Sequence, residues 1–190
     1  MDLKLPGKIQ TAIANFRFRK EIEKNRFQRE AVGFDEARRI GVLYDATRDE
    51  DYEAIKNYIK TVRKEQKEIF ALGFVDKKEL PKNQYAQYGI DFFTRKNLSW
   101  SMIPGNLAVS NFIHEPYDIV INVAENSCFP LRYIAALSHA RFRVGRFDRR
   151  NTPCYDLMLN IKDDVGISEL LVQIENYLRL IKSSHATQKV

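Results

Sequence analysis

Apolar positions along the chain follow two spacings, and their alternation predicts an α/β fold. The clearest unit covers residues 116–148, where Ser127 and Pro130 occupy positions expected for a helix cap and a first turn. Residues 117–123 form an apolar, β-branched run, residues 131–137 carry the spacing of a helix, and residues 141–147 return to a strand pattern. Because parallel strands need a long connection, this stretch predicts one βαβ unit.

A second βαβ unit is predicted in residues 39–74. Residues 39–44 and 68–74 have the composition of strands. Residues 49–66 between them begin with acids and end with bases, as the helix dipole favours. The sequence then predicts an exposed loop at 75–89, a short strand at 90–94, a packing role for Trp100 and a short helix at 105–114.

The chain closes with a predicted strand at residues 155–161 and a predicted helix at residues 166–182. The connection before this strand is too short for an ordinary helical crossover, so the strand is expected to pair antiparallel or to lie at a sheet edge. The whole pattern predicts a three-layer α/β fold, with a mostly parallel Rossmann-like or flavodoxin-like sheet between helices. A chain of 190 residues fits one such domain.

We assign residues 37–183 to that single α/β domain, residues 1–36 to a basic amphipathic helical extension and residues 184–190 to a frayed tail. In the extension, Ile9, Ala12, Ile13 and Phe16 share one face of a helix, which is expected to dock on the domain.

Positive charge is concentrated in two clusters, within a net charge of +6 from 31 basic and 25 acidic residues. The first cluster follows the apolar face of the extension: Arg17, Arg19, Lys20, Lys24, Arg26 and Arg29. It is typical either of a solvated helix lying across the domain or of a basic arm that contacts phosphates. A membrane-surface helix is a third interpretation, weakened by the acids in this segment and its lack of tryptophan.

The second cluster comprises Arg141, Arg143, Arg146, Arg149 and Arg150. Arg141 and Arg143 alternate with apolar residues, so they are expected on the exposed face of a half-buried strand. There they either protect the sheet edge or extend the basic arm into a wider anion-binding surface.

In an open parallel sheet, ligands bind outside the carboxyl ends of the strands. This rule selects five candidate rim residues: Asp45, Thr47, Glu125, Asn126 and Ser127. Asp148 would add a third carboxylate that suits magnesium. Turn and cap roles explain most of the same residues, so we expect no metal.

Recognised catalytic patterns are missing from the sequence. It has no glycine-rich dinucleotide fingerprint, no P-loop, no zinc-ligand spacing and no histidine placed to activate Cys128. Cys128 and Cys154 are expected to be inert thiols. We therefore predict no catalytic residues and no cofactor. Without an apolar run of about 20 residues or a secretion signal, a membrane span is not expected and the cytoplasm is the expected location.

Two resemblances add to this interpretation. Through its basic helix, Leu98-Ser99-Trp100, Pro130-Leu131 and the run from residue 142 to residue 145, the chain resembles a family of small bacterial proteins of unknown function. That resemblance implies a cytoplasmic bacterial setting. Residues 116–148 are also similar to the N-terminal domain of heptosyltransferase-type glycosyltransferases, which need a second Rossmann-like domain that this chain is too short to hold.

The charge pattern favours a non-enzymatic protein that contacts RNA or a ribonucleoprotein such as the ribosome through its basic clusters. The rim residues favour the alternative of a nucleotide or nucleotide-sugar binding domain. An adaptor for a protein partner fits the same pattern, and the sequence leaves the oligomeric state open.

Overall fold

One six-stranded sheet forms the centre of the described structure. The computed structural model describes residues 7–25, 27–125, 127–161 and 165–182. Its strands are β1 (Arg39–Asp45), β2 (Glu68–Val75), β3 (Ile90–Thr94), β4 (Ile119–Asn122), β5 (Phe142–Arg146) and β6 (Leu157–Leu159). They lie in the order β3-β2-β1-β4-β5-β6, and every neighbouring pair is parallel.

Helices cover both faces of the sheet. They are α1 (Gly7–Lys24), α2 (Asp49–Lys64), α3 (Leu107–His114), α4 (Phe129–Leu137) and α5 (Ile167–Leu180). The core on one face contains α2 and α5, and the core on the other contains α3 and α4, with α1 packed on α4. The predicted three-layer α/β fold is confirmed. None of the described helices is long and apolar enough to cross a membrane.

The strand order is the Rossmann order, not the flavodoxin order. β1 pairs with β2 on one side and with β4 on the other, with Ile40 opposite both Ile69 and Ile119. All four residues of β4 are buried, which explains why this stretch reads as one apolar run. Strand order reverses between β1 and β4, so the carboxyl ends of these two strands flank the topological switch point.

The last strand, β6, lies at the edge as expected but is parallel to β5. Residues 147–156 take the place of a crossover helix and bury Cys154 and Tyr155 in the same core as α4. The Tyr155 ring covers Gly145, where an added Cβ would lie 2.6 Å from that ring, and the Tyr155 hydroxyl accepts a hydrogen bond from Asn122 at 2.7 Å. A compact loop therefore connects two parallel strands here, although we expected a parallel connection to need a helix.

The segment between α1 and β1 is part of the core. Val32 and Phe34 are fully buried among the side chains of α2 and α5. The backbone N–H of Phe34 donates to the carbonyl of Leu178, and Gly33 approaches the Ile181 carbonyl so closely that a Cβ would clash at 2.2 Å. This segment leads the chain from the α4 face, where α1 lies, to the α5 face.

Candidate functional site

Helix α1 docks on α4 through one face. Ala14 and Phe18 are buried, and the Phe18 ring centroid lies 5.5 Å from those of both Phe129 and Tyr133. The Tyr133 hydroxyl donates a hydrogen bond to Glu21. These contacts run in the same direction along both helices, so α1 lies parallel to α4.

The residues after α1 cap the end of α4. The Asn25 side-chain amide donates to the carbonyl of Leu137 at 2.9 Å, and the Arg29 guanidinium donates to the carbonyls of Ser138 and Ala140. These groups satisfy carbonyls that the end of a helix leaves without partners. Through these bonds Arg29 stabilises the fold; burial, with a smaller contribution from Arg143, lowers its pKa to about 10.

The expectation that Ile9, Ala12, Ile13 and Phe16 form the docking face is wrong. Ile9 is 42% exposed and Phe16 is 60% exposed, because the docked face is centred on Phe18 on the opposite side of the helix. The specific contacts with Phe129, Tyr133 and the end of α4 determine which face is buried.

The outward side of α1 carries four cations. Arg17, Arg19, Lys20 and Lys24 are all exposed, and none of them forms an ion pair with a described residue. The Lys20 ammonium lies 4.6 Å from the Phe16 ring centroid. Arg26 lies outside the described residues. We call Arg17, Arg19, Lys20 and Lys24 the α1 basic face.

The second basic cluster is largely engaged within the fold. Arg141 pairs with Glu30 and with Asp118, whose carboxylate it reaches at 2.8 Å. Arg143 is buried and pairs with Asp156 at 2.8 Å. The expectation of a half-exposed strand does not hold, since all five residues of β5 are buried. Arg143 is therefore part of the interior of the protein, where it pairs with Asp156.

Two arginines of this cluster remain on the surface, close to α1. Arg149 and Arg150 lie exposed in a 3₁₀ turn, where Arg150 pairs with Asp148. Arg132 on α4 connects this turn with α1: its guanidinium lies 5.9 Å from the Phe18 ring centroid and donates to Asn151 at 3.0 Å. Arg132 thus contacts both the turn and α1.

A cleft of about 420 Å³ opens at the switch point between β1 and β4. Of the predicted rim residues, Asp45, Thr47 and Glu125 line it. Ser127 does not line the cleft; its hydroxyl donates to Glu125, and Cys128 takes the position before the first residue of α4. Asn126 lies outside the described residues.

Arg48, Asp51 and Asp76 also line the cleft and were not predicted from the sequence. Arg146 lines it too, although the sequence predicted this residue only as part of the second basic cluster. Arg48 pairs with Asp51 at 2.8 Å, and Asp76 forms a bidentate pair with Arg95 on the far side of β2. Asp76 directly follows β2, so the carboxyl-end rule would have selected it. Nothing in the sequence marks Arg132 as a functional residue, because its contact with Phe18 depends on where α1 packs.

The described residues offer little catalytic chemistry. Burial raises the pKa of Cys128 to about 12 and that of Cys154 to about 11, so both thiols stay protonated at neutral pH. No group of three or more His, Cys, Asp or Glu side chains in the described part of the chain is arranged to hold a metal ion. Trp100, expected as a packing anchor, is 46% exposed, and its carbonyl accepts a hydrogen bond from Gln10.

Comparison with known proteins gives one assignment. A family model matches residues 10–181, which include all six strands and most of α1. The chain belongs to DUF6913, a family of unknown function. No curated protein and no solved structure matches the chain. Membership of DUF6913 agrees with the expected family of unknown function and assigns no activity. The comparisons with curated proteins and with solved structures do not support the resemblance to heptosyltransferases.

Proposed function

We propose that this protein binds RNA, alone or within a ribonucleoprotein, through the α1 basic face. The observation that carries the proposal is that Arg17, Arg19, Lys20 and Lys24 are exposed and lack ion-pair partners among the described residues. In contrast, Arg141 and Arg143 are neutralised by acids of the fold. Exposed cations on a docked helix attract phosphates and release their counterions.

The docking of α1 supports a preformed surface. Phe18, Glu21, Asn25 and Arg29 attach the helix and the following segment to α4, so the cations are carried on a fixed scaffold. A preformed surface avoids the ordering cost that a disordered basic arm would meet on binding. Arg149 is a further exposed cation, in the turn whose Asn151 accepts a hydrogen bond from Arg132.

Single-stranded RNA is the form to test first. Phe16 is 60% exposed beside Lys20, and aromatic rings interleaved with cations are typical of single-strand binding. The resemblance to small bacterial proteins makes a cytoplasmic ribonucleoprotein, first of all the ribosome, the partner to test in cells. Co-sedimentation with ribosomes from a bacterial lysate at low salt, lost at high salt, is the expected result.

Fluorescence anisotropy with a labelled single-stranded RNA tests the proposal in vitro. The variant with Arg17, Arg19, Lys20 and Lys24 changed to alanine should lose most of the binding. The matched control changes Lys60, Lys64, Lys78 and Lys82, which are exposed on or after α2, to alanine. Both variants lower the net charge by four, but the control leaves α1 intact. Equal loss in both variants, or no binding by the unmodified protein, would refute the proposal.

A further inference from the structure

A separate cavity lies on the face of the sheet that α3 and α4 cover, and it shares no lining residue with the switch-point cleft. Its volume of about 350 Å³ suits a small organic molecule. Residues of β2, of α3 and of the turn before β3 line it, together with Asp91 near the start of β3. We call it the α3 cavity. The α1 basic face contributes no lining residue, so this inference does not depend on RNA binding.

Three aromatic rings line the α3 cavity and contact one another. The Tyr117 ring centroid lies 4.8 Å from that of Phe112 and 6.3 Å from that of Phe70. Phe112 and Tyr117 pack closely over β1 because residue 41 is a glycine, where an added Cβ would lie 2.8 Å from the Phe112 ring. Phe70 is only half-buried. Aromatic rings pack favourably against one another, so this wall suits the aromatic part of a ligand.

The Tyr117 hydroxyl is the group that points to a ligand. Tyr117 is 2% exposed, yet no described residue forms a hydrogen bond with its hydroxyl. Unlike the partnerless hydroxyls of Tyr44 and Tyr58, this hydroxyl is not closed off by protein atoms. Since Tyr117 lines the α3 cavity, its hydroxyl opens into that space. Buried polar groups in proteins usually have a hydrogen-bond partner, and here the cavity leaves room for one on a ligand.

Two acids line the α3 cavity close to this hydroxyl. Burial raises the pKa of Tyr117, and the nearby carboxylates of Glu115 and Asp91 raise it further, against an opposing effect of Arg39. Glu115 pairs with Arg39 at 2.7 Å. Asp91 is exposed on the edge strand β3 and has no ion-pair partner among the described residues. The described lining contains no Lys, Arg or His, so this end of the cavity favours a cation.

We propose that the α3 cavity binds an arylalkylamine, a small molecule in which a short chain joins an aromatic ring to an ammonium. The ring packs against Phe70, Phe112 and Tyr117. The ammonium donates hydrogen bonds to the Asp91 carboxylate and to the Tyr117 hydroxyl oxygen, both of which are acceptors. A ligand carboxylate or phosphate at this position would be repelled by Asp91 and Glu115.

Isothermal titration calorimetry at neutral pH with phenethylamine, tyramine and tryptamine tests the proposal. At least one amine should bind, and the corresponding alcohol, 2-phenylethanol in the case of phenethylamine, should bind about tenfold or more weakly. The corresponding carboxylate, 3-phenylpropanoate, should not bind. Asp91→Asn should weaken amine binding about tenfold or more. Glu79→Gln, an exposed acid outside the cavity that pairs with Lys96, is the matched control and should change nothing.

Tyr117→Phe separates binding from folding. It keeps the ring and removes only the hydroxyl, so it should weaken amine binding about fivefold or more. Because the hydroxyl has no partner among the described residues, this variant should not lower the midpoint of urea unfolding. Asp91 is exposed, so its substitution is not expected to disturb folding either.

Three results would overturn the proposal: no binding by any of the three amines, equally tight binding of the alcohol or the carboxylate, or an unchanged affinity in Asp91→Asn or Tyr117→Phe. A lower urea midpoint for Tyr117→Phe would also count against it, because the hydroxyl would then have a partner within the fold.

Discussion

Replacing Arg143 with methionine should strongly destabilise the protein. The Arg143 side chain is 9% exposed and makes two hydrogen bonds to the Asp156 carboxylate, at 2.8 Å and 3.0 Å. A third bond, at 3.0 Å, goes to the carbonyl of Ala136 near the end of α4. Methionine fills similar volume but donates none of these bonds.

The expected loss of stability follows from the polar groups that the substitution leaves without their hydrogen-bond partners. Among the described residues, Asp156, whose side chain is 19% exposed, would keep only its bond from the Arg143 backbone N–H, and the Ala136 carbonyl would keep only the 3.4 Å contact from Asn25. Removing one partner of a buried ion pair costs about 3–5 kcal/mol. The free energy of unfolding of a domain is about 5–15 kcal/mol in total, so the loss should be a large share of it.

Urea unfolding followed by circular dichroism measures this loss as a lower midpoint with an unchanged slope. Arg150→Met is the matched control, since Arg150 also pairs with an aspartate but its side chain is 83% exposed. It should leave the midpoint unchanged. If Arg143→Met lowers the free energy of unfolding by less than about 1 kcal/mol, the assignment of Arg143 to the interior is wrong.

Two further predictions concern a buried hydroxyl and a partly exposed histidine. The Tyr44 hydroxyl is buried without a hydrogen-bond partner among the described residues, so Tyr44→Phe should raise the free energy of unfolding by about 1 kcal/mol. A loss of stability in the same urea assay would contradict this. Burial, followed by the neighbouring His114 and Arg29, lowers the pKa of His139, whose ring stacks on Phe27. As the pH falls, the His139 side chain of the unfolded chain is therefore protonated first. The stability that His139 contributes is present above its unfolded pKa of about 6.5 and is lost as the pH falls through its lower pKa in the folded protein. Between pH 7.5 and pH 5.5 the urea midpoint should fall more in the unmodified protein than in His139→Gln, and an equal fall in both would contradict the prediction.

The sequence predicted the elements of the fold better than their arrangement. Apolar runs such as residues 117–123 identify buried parallel strands, because a strand covered on both faces needs apolar side chains at every position. The parallel direction of β6 was not predictable, since it depends on how Tyr155 packs over Gly145. Strand order likewise depends on contacts between distant residues.

The same limit applies to the candidate sites. Helix α1 has apolar positions on two faces, and periodicity alone favoured the face of Ile9 and Phe16 over that of Phe18. The choice is made by Glu21 and Asn25, whose partners lie more than 100 residues away in the sequence. Local alternation placed Arg143 on the surface, but a tertiary contact with Asp156 buries it. Charge patterns therefore identify candidates, and tertiary pairing decides which of them stay exposed.

The salt dependence of RNA binding is the most direct test of the proposed function. For single strands, the logarithm of the binding constant falls with the logarithm of salt concentration by about 0.7 for each phosphate neutralised. If Arg17, Arg19, Lys20 and Lys24 each neutralise one phosphate, replacing all four by alanine should reduce the slope by about 2.8. The same slope in the unmodified protein and in this variant would contradict the account.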